Sequence, residues 1–241
     1  MKNSYACLLM LSVLMATSAL ALAQTPTPAD PEAKEKNEVR FLAKKRVESD
    51  LQGLYNTLTF EDVGEFERVS VIKNSYLPNA NQVFYSDDVL IEDDIDPRHL
   101  NANDPASVKN WRVGGYLNEL DLRYAKTTSE TIRFSNLLAS AAERKGDHYE
   151  VRVFFTAKFG GMYKATKSYY QSISRVATLR ADKVEGKWQV LITQILFFRQ
   201  GETLSKPTPA VAAATPAETA PANQKPDSAP VKSAAKSAPE R

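Results

Sequence analysis

A run of acidic residues is the densest group of chemically reactive side chains in this 241-residue sequence. It extends over residues 87–96 and consists of Asp87, Asp88, Glu92, Asp93, Asp94 and Asp96. Carboxylate oxygens are the ligands that calcium prefers, but no glycine occupies the sharp-turn position of a calcium-binding loop. The pattern therefore favours a solvated loop. Two alternatives stay open: a calcium site, or a general base, if one of these carboxylates is buried and its pKa is raised as a result.

The two histidines, His99 and His148, offer little acid–base or metal chemistry. Both fall in predicted loops far apart along the chain, whereas a catalytic zinc site needs about three protein ligands. The sequence has no G-x-S-x-G element, so it lacks the nucleophile elbow of many serine hydrolases. Its only cysteine, Cys7, lies in a segment that we expect to be removed. We therefore predict neither a metal nor a cofactor.

Polar residues on predicted apolar faces form the third group of candidates. Asn136 and Gln194 stand within apolar strand runs, and Tyr116 lies on the apolar side of a predicted helix, with Asp121 nearby. Buried polar groups need hydrogen-bond partners, which neighbouring core groups can provide. Alternatively, such groups line a pocket and orient a ligand. Under this second interpretation the predicted ligand-binding residues are Tyr116, Asp121, Asn136, Trp188 and Gln194.

The strands that must position these residues include a C-terminal hairpin at residues 172–198. Two runs rich in β-branched and aromatic residues flank a polar turn, a pattern typical of a β-hairpin. Alternation divides the second run into a face with Trp188, Val190, Ile192, Gln194, Leu196 and Phe198 and a face with Gln189, Leu191, Thr193, Ile195 and Phe197. Both faces are largely apolar, which predicts a central strand packed by helices. The second face also suggests a homodimer formed through the outer face of the sheet, motivated by Leu191, Ile195 and Phe197.

Apolar residues spaced three and four apart predict the helices. They indicate a long first helix, a shorter one over residues 65–76 and a third that begins at Pro105. The apolar stripes are Val39, Ala43, Val47, Leu51, Leu54 and Leu58; Phe66, Val69 and Ile72; and Val113, Tyr116, Leu117, Leu120 and Tyr124. Further strands are predicted at residues 82–91, 131–139 and 149–159.

Composition divides the chain into four segments. Residues 1–23 combine a basic start, an apolar run and small residues at the end, which predicts a cleaved signal peptide. Residues 24–31 are a Pro/Thr spacer, and residues 32–200 form a single α+β domain. Residues 201–241 are an Ala/Pro-rich tail with too little apolar surface to order. We therefore expect an exported protein, periplasmic or extracellular, whose mature chain has no membrane span.

The charge balance argues against a nucleic-acid partner. The chain has 31 Lys and Arg against 29 Asp and Glu, a formal net charge of +2. Nucleic-acid-binding domains usually concentrate basic residues on one face, and no such run is present here.

The predicted order of elements, helix, helix, strand, helix and then four long strands, resembles that of the nuclear transport factor 2-like superfamily. The segment YSDDVLIEDD at residues 85–94 is similar to the first strand of that fold, and GKWQV at residues 186–190 is similar to the start of its last strand. The resemblance covers residues 32–199. It implies a cone-shaped, cystatin-like α+β fold in which a curved antiparallel sheet wraps around the N-terminal helices. It also implies a cone mouth suited to a small apolar molecule.

That superfamily includes isomerase-like and dehydratase-like enzymes as well as proteins that only bind partners. Tyr116 and Asp121 are of the residue types that a ketosteroid isomerase-like site uses, but they do not match its motif position by position. We therefore expect a non-catalytic binding or interaction domain of the cell envelope, which holds a small apolar ligand or pairs with an envelope protein. The alternative is an isomerase- or lyase-type enzyme that uses a buried carboxylate as general base.

Overall fold

A computed structural model describes residues 30–96, 104, 106–129 and 132–204. The predicted signal peptide, most of the predicted tail, His99 and Pro105 lie outside these residues. Within the described part of the chain, no helix is both long enough and apolar enough to cross a membrane.

The described residues form four α-helices, one π-helical turn and nine strands. The helices are α1 Pro31–Lys45, α2 Gln52–Thr59, α3 Glu65–Asn74 and α4 Val113–Arg123, and the π-helical turn Arg46–Leu51 joins α1 to α2. The strands are β1 Leu90–Glu92, β2 Asn110–Arg112, β3 Ile132–Ala139, β4 Glu143–Lys145, β5 His148–Phe159, β6 Met162–Tyr163, β7 Ser168–Tyr169, β8 Ile173–Val184 and β9 Lys187–Phe197.

The first helical segment begins where its sequence provides a cap. The Oδ1 atom of Asp30 accepts a hydrogen bond from the Glu32 amide at 3.0 Å, and Pro31 takes the first helical position. The backbone stays right-handed helical through the π turn into α2. All six residues of the predicted stripe are buried: Val39, Ala43, Val47, Leu51, Leu54 and Leu58. The first predicted helix and its buried face are therefore confirmed.

The main sheet has the strand order β2-β1-β9-β8-β5-β3, with β4 beside β5. Strand β9 has a neighbour on each side, as its two apolar faces predicted. Neighbouring strands are antiparallel except for β1 and β9, which are parallel. The α+β class is confirmed, but the prediction of a wholly antiparallel sheet is wrong. Side chains alternate in the same way in both kinds of pairing, so the sequence pattern could not reveal the direction.

A β-bulge in β9 exchanges the predicted faces of its second half. The register with β8 shifts at Thr193, which has no partner there. One inserted residue reverses the alternation that follows it. Ile195 and Phe197 therefore lie on the inner face, the side of the sheet that packs against the helices, and Gln194 and Leu196 lie on the outer face. The predicted faces are correct only before the bulge.

Side chains from the helices pair with the free edge of β3. Asn56 exchanges two hydrogen bonds with the backbone of Ile132, at 2.9 and 3.0 Å. Gln52 accepts a third from the Phe134 amide at 2.6 Å. Unpaired edge groups otherwise invite association with another strand. These contacts fix α2 against the sheet and bring the ring of Tyr55 to 5.9 Å from that of Phe134.

Two helix predictions are corrected by the structure. Ile72 of α3 is buried as expected, but Phe66 is 94% exposed and Val69 is also exposed. Helix α3 makes its main contacts with α2 and α4, so one side of it is enough to make them. The third predicted helix begins at Val113 rather than at Pro105, since the residues just before it form the edge strand β2.

Candidate functional site

A buried ion pair joins Asp94, which follows β1, to Arg175 on the inner face of β8. Their side chains are only 4% and 2% exposed, and the Nη1 atom of Arg175 contacts the Oδ2 atom of Asp94. The Nη2 atom of Arg175 donates to the backbone oxygen of Glu92 at 2.7 Å. Removing two charges from water is costly unless they are well paired and hydrogen-bonded. The pair is therefore a charge-neutral polar centre inside an apolar core.

Two tyrosine hydroxyls complete the surroundings of the Asp94 carboxylate. Tyr116 on α4 donates to Oδ1 at 2.7 Å, and Tyr170, just before β8, donates to Oδ2 at 2.5 Å. The apolar stripe of α4 directs Tyr116 inward, because Tyr116 shares it with buried residues one turn away. Both oxygens of Asp94 are thus engaged, one by Tyr116 and the other by Tyr170 and Arg175.

Burial controls the ionisation of these groups. The pKa values of Tyr116 and Tyr170 are raised well above their usual value. Burial is the larger cause, and the negative charge of Asp94 is the second. Burial also raises the pKa of Tyr55, whose ring lies 5.8 Å from that of Tyr116. For Arg175, burial is the largest single effect and lowers the pKa, but the Asp94 carboxylate and the neighbouring tyrosines together outweigh it, so the pKa is raised. At neutral pH the tyrosines are therefore neutral hydrogen-bond donors and Arg175 is a cation.

A small cavity adjoins this polar centre. Its free volume is about 20 Å³, which is room for one water molecule. Besides the polar centre, the walls are mainly aromatic and aliphatic and include Tyr55, Leu120, Ile132, Phe134, Phe155 and Phe159. Lys158 is also among the residues around the cavity, although its own side chain is exposed.

One donor of the polar centre is unused. The Nε atom of Arg175 is buried and has no hydrogen-bond partner among the described residues. Buried N–H groups nearly always pair with protein or with ordered water, and an unpaired one costs about 1–3 kcal/mol. Because Arg175 lines the cavity, its Nε atom is a candidate contact for a bound molecule.

Glu92 is a second buried carboxylate, two residues before Asp94. It accepts hydrogen bonds from the Phe197 amide at 2.6 Å and from the Nη2 atom of Arg199 at 2.5 Å. Strand β1 lies between β2 and β9, so this part of the acidic run is inside the protein. The prediction of a solvated acidic loop is wrong for Glu92 and Asp94, although Asp88 is exposed as predicted.

Two of the predicted ligand-binding residues are on α4, and only one lies at the cavity. Tyr116 is buried there and contacts Asp94. Asp121 follows five residues later, about 140° around the helix. Its Oδ1 atom pairs with the Nε atom of Arg68 at 2.8 Å and also contacts Lys126. The structure therefore places Asp121 in a separate ion-pair cluster.

The other three predicted residues also lie away from the cavity walls. Asn136 is exposed in a bulge of β3, where its φ angle is 56°, and it donates to the Oγ1 atom of Thr156 at 3.3 Å. Gln194 faces outward because of the bulge in β9. Trp188 is on the inner face, but its ring packs against Tyr149, with 5.4 Å between the centroids. Strand alternation alone could not locate either bulge.

Arg175 and Tyr170 supply the cation and one of the donors of this site, and neither is among the residues predicted from the sequence. A signal for Arg175 was present, because it alternates in phase with Ala177 and Leu179 in the run that forms β8. An arginine at such a position is expected to point into the core with a partner. Tyr170 lies outside regular structure, so its sequence context carries no equivalent signal.

His148, the histidine within the described residues, does not contribute to this site. His148 is near the surface, where its Nδ1 atom lies 3.0 Å from the Asp147 carboxylate. Among the described residues, no three His, Cys, Asp or Glu side chains come close enough together to hold a metal ion.

Comparisons with known proteins identify no relative of this chain. No family model, no curated protein and no solved structure matches it significantly. The function must therefore be inferred from the geometry of the site.

Proposed function

We propose that this protein is an exported, non-catalytic binding domain of the nuclear transport factor 2-like class, which holds a small and largely apolar molecule beside Asp94 and Arg175. The observation that carries the proposal is that Arg175 lines an aromatic-walled cavity and has a buried Nε atom without a hydrogen-bond partner among the described residues. Ligand pockets typically combine apolar walls with a few convergent polar groups that orient the ligand.

The arrangement of elements supports this class. A long N-terminal helical segment, α1 to α2, packs against the inner face of a sheet whose last four long strands are β3, β5, β8 and β9. Helix α4 precedes these strands and contributes Tyr116 to the cavity. A cone-shaped fold would enclose its ligand between such helices and such a sheet. Export is proposed from the sequence of residues 1–23.

The alternative, an isomerase- or lyase-type enzyme with a carboxylate base, has one supporting observation. Asp94 is buried within an apolar core, as that hypothesis requires. A general base must, however, present an oxygen to the proton that it removes. Both oxygens of Asp94 already contact Tyr116, Tyr170 or Arg175. The geometry therefore favours binding over catalysis.

Homodimer formation through the outer face of the sheet stays a prediction. Of the three residues that suggested it, Leu191 lies on the outer face, whereas Ile195 and Phe197 lie on the inner one. Leu138 adds an apolar side chain that is 59% exposed and pairs with Phe154 across the outer face. The apolar surface that favours pairing is therefore narrower than the sequence pattern indicated.

Thermal-shift measurements with small aromatic probes test the binding function. We expect at least one of indole, toluene, acetophenone and 4-methylphenol to raise the melting temperature of the mature protein, because binding to the native state alone stabilises it. Arg175→Lys keeps the charge opposite Asp94 but removes the Nε donor, and should weaken binding about tenfold. Arg180→Lys, on the outer face, is the matched control and should change nothing. Failure of every probe to bind the wild-type protein would overturn the proposal.

A further inference from the structure

We infer that the ligand is a phenol, an aromatic ring with a hydroxyl donor, and that it enters by displacing Tyr170, whose own phenol ring closes the site. This inference rests on the proposed binding function and adds to it the chemical class of the ligand and its route of entry.

Tyr170 makes the contacts that a bound phenol would make. Its hydroxyl donates to the Oδ2 atom of Asp94 at 2.5 Å. Its ring lies 5.9 Å from that of Phe159 and 6.3 Å from that of Tyr124, distances at which aromatic rings attract each other. The site therefore already recognises a phenol, supplied by its own chain.

Tyr170 is also the polar contact of Asp94 that is held least firmly. Tyr116 is on helix α4 and Arg175 is on the central strand β8, whereas Tyr170 lies in the irregular connection between β7 and β8. No backbone hydrogen bond ties residues 170–172 to the rest of the described chain. Segments with few such bonds open at low free-energy cost. Because the free volume now admits only one water, a larger guest needs this movement.

The charges of the site select a neutral hydroxyl rather than an anion or a hydrocarbon. The positive charge of Arg175 is already balanced by Asp94, so a bound anion would bring a negative charge for which the site has no counterion. A hydrocarbon that displaced Tyr170 would leave the Oδ2 atom with one donor fewer, an unfavourable exchange for a buried acceptor. A phenol restores that donor, and its oxygen offers an acceptor to the unpaired Nε atom of Arg175.

Isothermal titration of the mature protein with 4-methylphenol, toluene and 4-methylbenzoate tests the ligand class. We expect 4-methylphenol to bind about tenfold or more tightly than either of the others. Tyr170→Phe removes the hydrogen bond that holds the Tyr170 ring over the site. The ring is then displaced more easily, so the affinity for 4-methylphenol should increase about tenfold. Tyr169→Phe, at the exposed neighbouring position, is the control and should leave the affinity unchanged.

Two results would overturn this inference while leaving the binding function in place. One is binding of toluene or 4-methylbenzoate that equals or exceeds binding of 4-methylphenol. The other is that neither Tyr170→Phe nor Tyr170→Ala binds 4-methylphenol more tightly than the wild-type protein does. If neither the wild-type protein nor Tyr170→Ala, which removes the whole ring, binds any of the three probes, the proposed binding function fails as well.

Discussion

Strand β8 carries two arginine–aspartate pairs that differ in depth. On the outer face, Arg180 forms a bidentate pair with Asp182, two residues away, and both side chains are about 30% exposed. On the inner face, Arg175 reaches Asp94 from a distant part of the chain, and both side chains are almost completely buried. The residue types are the same, but only the inner pair adjoins a cavity.

Depth determines what each pair can contribute. Exposed pairs are screened by water and salt, and they typically contribute about 0–1 kcal/mol to stability. A buried pair contributes little net energy as a unit, but loss of one partner leaves the other charge unpaired away from water. Removing one partner of the inner pair should therefore destabilise the fold strongly, whereas removing one partner of the outer pair should not.

The largest difference between the two pairs is expected on neutralising the arginines. Arg175→Met should lower the free energy of unfolding by about 3–5 kcal/mol, because Asp94 loses its buried counterion. Urea denaturation followed by circular dichroism measures this change. The matched control is Arg180→Met. Equal losses for the two variants would show that depth does not separate the pairs.

A smaller loss is expected when only a hydrogen bond to the inner pair is removed. Tyr116→Phe keeps the ring but removes the donor to Asp94, and should cost about 1.5–3 kcal/mol because the acceptor is charged. Tyr169→Phe, at an exposed position, should stay within about 0.5 kcal/mol in the same urea assay. A loss below 0.5 kcal/mol for Tyr116→Phe, about that of the control, would mean that Asp94 does not depend on this donor.

Alkaline pH should destabilise the inner site. The pKa values of Tyr55, Tyr116 and Tyr170 are raised in the folded protein, chiefly by burial, above the unfolded value of about 10. Their contribution to stability is therefore complete below about pH 10 and is lost as the pH rises towards the folded values, at up to about 1.4 kcal/mol per group and pH unit. Urea titrations between about pH 8 and 11 measure this slope. Tyr116→Phe should reduce it, and an unchanged slope would contradict the assignment.

The smallest effect belongs to the outer pair. Arg180→Met should lower stability by about 1 kcal/mol or less, and the loss should shrink further in about 1 M salt because exposed charges are screened. Unfolding at low and high salt gives the comparison. A larger loss of stability that salt does not reduce would show that the outer pair behaves as a buried pair, which would contradict this prediction.

Much of the fold follows from local pattern. The helical stripe from Val39 to Leu58, the inward side of α4 and the central position of β9 all depend on periodicity, which residues near each other in the chain determine. Tyr116 was therefore predictable as a buried polar residue on α4. Asn136 and Gln194 were not placed correctly, because each lies at or just after a bulge. A bulge changes alternation without an obvious local signal.

The sequence by itself determined which residues could be buried. The apolar stripes and the alternating strands mark the inward faces, and the carboxylates and tyrosines near them are the polar groups that could form pairs there. Only the tertiary structure decided that Asp94, out of six neighbouring acidic residues, meets Arg175 in the core. That choice depends on β1 pairing with β9 beside β8, a contact between distant parts of the chain. Periodicity describes how one segment meets the interior, but it does not say which other segment it meets there, and a buried charge needs a partner from that second segment.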